Sequence, residues 1–139
     1  MAPAADARLV GEDELRRLDT ILRACWSAFD AAVDAARGTE LRKGPRGGGR
    51  ELEAIVAHVA GADEGYLGRL AWKLGAGDRD DPGELLALTR AAIPDVLTSA
   101  VRNGVPAGPR GGKRWSPRYF VRRSAWHVLD HTWEIEDRS

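Results

Sequence analysis

Two of the chain's three histidines, His127 and His131, lie four residues apart in the segment Ala125-Trp126-His127-Val128-Leu129-Asp130-His131-Thr132-Trp133-Glu134. On a helix this spacing puts both imidazoles on one face, with Cβ atoms about 5–6 Å apart. Phe120, Ser124, His127 and His131 advance by four, three and four residues, so the histidines continue a stripe directed at a bundle core. Neutral imidazole is a ligand for zinc, nickel, iron or copper. The remaining histidine, His58, falls on another predicted helix, at the edge of its inner face. Three imidazoles from two helices would leave at least one coordination position for water or substrate, as catalytic metal centres do. The competing reading makes His127 and His131 ordinary core or edge histidines with hydrogen-bond partners of their own. His-Glu-x-x-His is absent, because Val128 follows His127, so the general base of a metalloprotease is missing.

Other polar residues near this segment have two readings each. Glu134 sits one turn beyond His131 and is either a fourth ligand or a solvated residue. Asp63 and Asp130 are candidate carboxylate partners for a ligand N–H, with surface positions as the default. From Val96 to Leu129 there are seven Lys or Arg and no acid. Arg110, Lys113, Arg114 and Arg118, around a predicted helix start, form a candidate site for a carboxylate or phosphate. A solvated basic face explains the same residues. Two Arg-Gly-Gly triplets, at 46–48 and 110–112, are too few to read as an RNA-binding array. Tyr119, Trp126 and Trp133 recur every seven residues beside the histidine stripe, which predicts either core packing or a second subunit. Cys25 lies on an apolar stripe, where a buried, unreactive thiol is expected.

Four helices position these groups. The first opens at Glu12-Asp13-Glu14, carries Leu15, Leu18, Leu22, Cys25, Phe29 and Val33 on one face, and ends near Gly38. The second runs from about Glu51 to Leu74, with Leu52, Ile55, Val59, Ala62, Tyr66 and Leu70 inward. The third is capped by Asp81, with Pro82 at the first position and Glu84 completing a capping box. Its stripe is Leu85, Leu88, Ala92 and Val96, Pro94 is expected to kink it, and Asn103-Gly104 ends it. Ser116 caps the fourth, with Pro117 in its first turn. Near-identical segments, Gly44-Pro45-Arg46-Gly47-Gly48 and Gly108-Pro109-Arg110-Gly111-Gly112, precede the two histidine-bearing helices and suggest two helical-hairpin halves. The expected fold is an all-α four-helix bundle formed by residues 1–139 as one domain, with residues 1–10 frayed.

Composition narrows the function classes. The 139 residues carry a formal net charge of zero, which gives no reason to expect nucleic acid or a membrane surface as partner. No apolar run approaches the roughly 20 residues of a transmembrane helix, and no secretory leader is apparent at the N-terminus. One cysteine excludes an internal disulfide framework and suits a reducing cytoplasm.

His58, then the segment from Ala125 to Glu134, resembles the DinB-like (DinB/YfiT) superfamily over most of the chain, with all three motif histidines in order. The resemblance implies an up-down-down-up four-helix bundle, commonly a homodimer. It also implies a divalent metal, most often zinc or nickel, held by His58, His127 and His131. Characterised relatives include S-transferases dependent on a low-molecular-weight thiol and a mycothiol-dependent isomerase; many relatives have no known activity. The expected substrate is a small electrophile. Hydrolysis of a small substrate and a non-enzymatic, dimeric binding or stress role are the alternatives. The chain stops five residues after Glu134, so the substrate-shaping extension of longer relatives is absent from this sequence.

Overall fold

A computed structural model describes residues 10–37, 51–74, 81–105 and 114–138. They form four helices: α1 (Glu12–Ala36), α2 (Leu52–Gly68), α3 (Pro82–Asn103) and α4 (Pro117–Arg138). The start signals in the sequence act as expected. Glu12, Asp13 and Glu14 fill the first turn of α1. The Asp81 carboxylate accepts the Glu84 backbone N–H at 2.9 Å, ahead of Pro82. Ser116 Oγ accepts the Tyr119 N–H at 3.2 Å. α3 continues through Pro94 and stops at Gly104, where φ is +77° and the N–H donates to the Ala100 carbonyl at 3.0 Å.

α2 ends six residues before the predicted Leu74. Trp72 N–H donates to the Leu67 carbonyl and Ala71 N–H to the Gly68 carbonyl, both at 3.1 Å. Ala71 has φ +68°. This is a Schellman ending with alanine in the left-handed position usually held by glycine. The stop signal therefore lies in the bonding geometry at Ala71. Carbonyls at this end are also engaged from α4's lead-in: Arg114 Nη1 donates to Gly68 at 2.6 Å, and Trp115 N–H to Arg69 at 3.0 Å.

Two apolar clusters fix the helix directions. One joins Leu15, Leu22 and Trp26 of early α1 to Leu67, Ile93, Leu97, Phe120 and Val121. The other joins Phe29 and Val33 of late α1 to Ile55, Val56, Leu85, Leu86, Val128 and Ile135. The early part of α1 thus meets the early part of α4 but the late parts of α2 and α3, which is an up-down-down-up bundle. An ion pair between Arg102 and Glu12, 3.0 Å, confirms that α3 ends where α1 begins. The most extensive interfaces are α1 with α4 and α2 with α3, both parallel. The division into sequential hairpin halves is therefore incorrect. Across the bundle, α2 packs on α4 more closely than α1 packs on α3.

The inner face of α3 is rotated from the predicted one, and that of α2 is wider than predicted. In α3 the buried residues are Leu85, Leu86, Thr89, Ile93, Leu97 and Ala100, whereas Leu88 is exposed. This helix is apolar on several sides, and the stripe with the larger Ile93 and Leu97 is the one that packs. In α2 Ile55 and Val59, and Leu70 just beyond its end, are buried as expected, Val56, Ala60, Asp63 and Leu67 are buried beside them, and Leu52, Ala62 and Tyr66 are only partly covered. Trp126 and Trp133 face outward. The predicted loops at 44–50 and 108–113 lie outside the described residues.

An alanine in the left-handed region costs about 1 kcal/mol relative to glycine. Ala71→Gly is expected to raise the unfolding free energy by about 0.5–1 kcal/mol, seen as a higher urea midpoint at unchanged slope. A lower midpoint would contradict the Schellman ending.

Candidate metal centre

The α2–α4 contact brings the three histidines together. His127 and His131 project from one face of α4, and His58 meets them from α2. Ring centroids are 5.0 Å apart for His58–His127, 4.7 Å for His58–His131 and 4.6 Å for His127–His131. One nitrogen from each ring lies within 4.8 Å of the others. His127 Nε2 and His58 Nε2 are 3.2 Å apart. Two nitrogens bound at about 2.0–2.1 Å to one tetrahedral ion would be separated by about 3.3–3.4 Å, so this pair is spaced for a shared cation.

Protonation favours the same arrangement. The His131 Nδ1–H donates to Glu134 Oε1 at 2.7 Å, because a carboxylate can only accept. That bond fixes the tautomer and leaves Nε2 with its lone pair. Glu134 is held in turn by Arg138 Nη1 at 3.0 Å. Partial burial raises the Glu134 carboxyl, but the hydrogen bonds and charges of His131 and Arg138 outweigh it and hold the group below its usual range. Glu134 is therefore partly covered and orients a candidate ligand.

His127 is the innermost ring, 8% exposed. Burial, with the neighbouring His131 and His58, pushes its pKa down to about 4, so it is neutral at physiological pH. Its Nδ1 is buried without a hydrogen-bond partner, as is Ser124 Oγ one turn earlier. Nδ1 of His127 lacks a partner whether the His127–His58 contact is a hydrogen bond or a shared cation; in a hydrogen bond one Nε2 would have to donate. A cation between them uses both Nε2 lone pairs. His58 is the most open of the three and lies at the rim.

An aromatic wall stands beside His127. Tyr66 meets it edge-on at 5.8 Å, Trp115 lies 5.1 Å from Tyr66, and Tyr119 lies 4.8 Å from Trp115. Burial raises the Tyr66 phenol, with the charge of Arg123 opposing. Beneath α2, Asp63 is 2% exposed and its Oδ2 has no partner. Burial raises its pKa to about 7 against the pull of Arg90 on α3. The surface position expected for Asp63 is therefore incorrect; the signal for burial was the row 56, 60, 63, 67 and 70, which advances by four, three, four and three with Asp63 as its one polar residue.

Of the predicted anion site, Arg114 and Arg118 are described, and both are engaged within the protein. Arg110 and Lys113 lie outside the described residues. Arg114 is bound to the end of α2, and Arg118 makes a two-pronged pair with Glu14, with its Nε 2.6 Å from Oε1. Both guanidinium groups tie helices together. Asp130 is exposed, as its default reading had it, and Cys25 is buried with its thiol pKa raised by burial. No helix among the described residues is long and apolar enough to cross a membrane. No protein-family model, curated protein or solved structure matches this chain.

Two measurements follow from this geometry. Glu134→Gln is expected to weaken zinc binding about 10–100-fold, because it loosens His131, as read by competition with a chelating dye. Unchanged affinity would place Glu134 outside the site. Asp63 is protonated in the native state at pH values where the unfolded chain, with a usual pKa of 3.8, has lost the proton. Its contribution to stability thus falls as pH rises from about 4 through 7. Metal-free Asp63→Asn is expected to be more stable than wild type at pH 8, with the gain shrinking toward pH 4 in urea titrations.

Proposed function

We propose that His58, His127 and His131 hold one divalent cation, zinc or nickel by ligand type, and that the chain is a DinB-like metal-dependent protein. The convergence of three ring nitrogens from two helices within 4.8 Å carries this reading. On it, the activity is transfer or isomerisation of a small electrophile with a low-molecular-weight thiol. A cation with three protein ligands supplies Lewis acidity in its open position and favours the thiolate of a bound thiol near neutral pH.

The protein's own contribution is positional and electrostatic. Glu134 and Arg138 lock His131, burial keeps His127 neutral, and the Tyr66–Trp115–Tyr119 wall limits water on one side. Neutral imidazoles leave the cation's charge uncompensated, which favours an anionic sulfur over a neutral one. Hydrolysis would be helped by a carboxylate free to take a proton from water. Glu134 is engaged twice, Asp130 is exposed, and Asp63 is buried in the row of α2 beside the charge of Arg90. This distribution favours the thiol reading. Trp126 and Trp133, 54% and 55% exposed on α4, support pairing of two copies through that helix.

The test begins with elemental analysis of zinc-loaded wild type beside His127→Ala. About one metal per chain is expected for wild type and little for the variant. Cobalt-substituted protein titrated with N-acetylcysteine should then develop a thiolate-to-metal charge-transfer band. Metal binding with no band, together with turnover of p-nitrophenyl acetate without thiol, would replace this reading with a hydrolase; no metal in wild type would end both.

A further inference from the structure

We propose that Arg123, backed by Tyr66, is the recognition point for an anionic group of the substrate, so that the ligand of the tri-histidine site is a small organic carboxylate. The inference rests on the metal-centre reading and adds a substrate class to it. Arg123 lies one turn before His127 on α4, so the two side chains share a face. Its Cζ is 5.9 Å from the Tyr66 ring centre, and the Tyr66 ring is 5.8 Å from that of His127. The charge of Arg123 is felt at both His127 and Tyr66. The three residues therefore enclose one corner of the site.

The remaining cations nearby are committed elsewhere. Arg118 is paired with Glu14, Arg138 with Glu134, Arg90 with Asp30 at 2.8 Å, and Arg114 with the Gly68 carbonyl. Among the described residues, Arg123 lies against the rings of Tyr66 and Trp126, the latter at 5.4 Å, and its side chain also bonds the Tyr66 phenol. It is half-buried, which reduces screening by salt. A guanidinium carries five N–H donors, so the bond to the Tyr66 phenol leaves others to meet a carboxylate. Among the described residues no carboxylate is paired with Arg123: Glu134 is held by His131 and Arg138, Asp63 is buried in the α2 row, and Asp130 is exposed. An anion on that edge would sit about one helical turn from the histidine nitrogens. The charge and the reacting atom of the ligand are then only a few bonds apart. A neutral ester of the same shape would leave the guanidinium unanswered, which is how a polar site rejects an isostere.

Benzoate and its neutral isostere methyl benzoate are suitable probes, titrated into zinc-loaded full chain by calorimetry and by the fluorescence of Trp126, which touches Arg123. Benzoate should bind wild type, weaken at least 10-fold in Arg123→Met, and recover partly in Arg123→Lys. Methyl benzoate should bind more weakly and be indifferent to the substitution. Zinc content should remain that of wild type in all variants, and circular dichroism reports their fold; Arg123→Lys and Arg123→Gln carry the comparison if the methionine variant does not fold. The proposal is overturned if benzoate fails to bind zinc-loaded wild type, binds all variants equally, or binds no better than its ester. Failure of the metal reading appears separately, as wild type that takes up no zinc.

Discussion

The cross-bundle contact between α2 and α4 is the constraint on which the rest of this structure depends. It is the place where imidazoles enter a mostly apolar interior. Above and below it, Phe120, Ile55, Val59, Val128 and Ile135 pack as an ordinary core. At the contact itself, two ring nitrogens approach to 3.2 Å and a third ring closes the triangle. Packing that forces three imidazoles together costs stability unless something answers their lone pairs. A domain needing only a core would fill this position with leucine.

The architecture explains why the rings can be held there. α4 is clamped to α1 along a parallel interface, and α2 to α3 along another, so each histidine-bearing helix rides on a partner that fixes its height and rotation. The end of α2 is tied to the lead-in of α4 by Arg114 and Trp115, which sets the axial register between His58 and His127. The Arg118–Glu14 pair does the same for α4 against α1. Basic residues that read in the sequence as an anion site are thus partly the ties that position the imidazoles.

Much of this was legible before any coordinates. Helix starts were explicit because caps are local: Asp81 with Glu84, and Ser116 with Tyr119, need only three residues of sequence. The histidine pair was explicit for the same reason, since i, i+4 spacing is a property of one helix. His58 joined it only through family resemblance and the absence of any other histidine, because contact between helices is not a local quantity. Three features escaped. The end of α2 depends on Ala71 adopting a left-handed conformation, which alanine gives no reason to expect. The inner face of α3 was ambiguous because apolar residues surround it, and only partner helices choose among stripes. Arg123 was overlooked because its place beside Tyr66 and His127 exists only once α2 and α4 are packed together.

The central claim is that three imidazoles, and no other protein group, grip one cation. X-ray absorption spectroscopy of the zinc-loaded protein measures this directly. A first shell of light atoms at about 2.0–2.1 Å with multiple scattering from three imidazoles is the predicted result. A shell with one or no imidazole, or with sulfur from Cys25, would contradict the account.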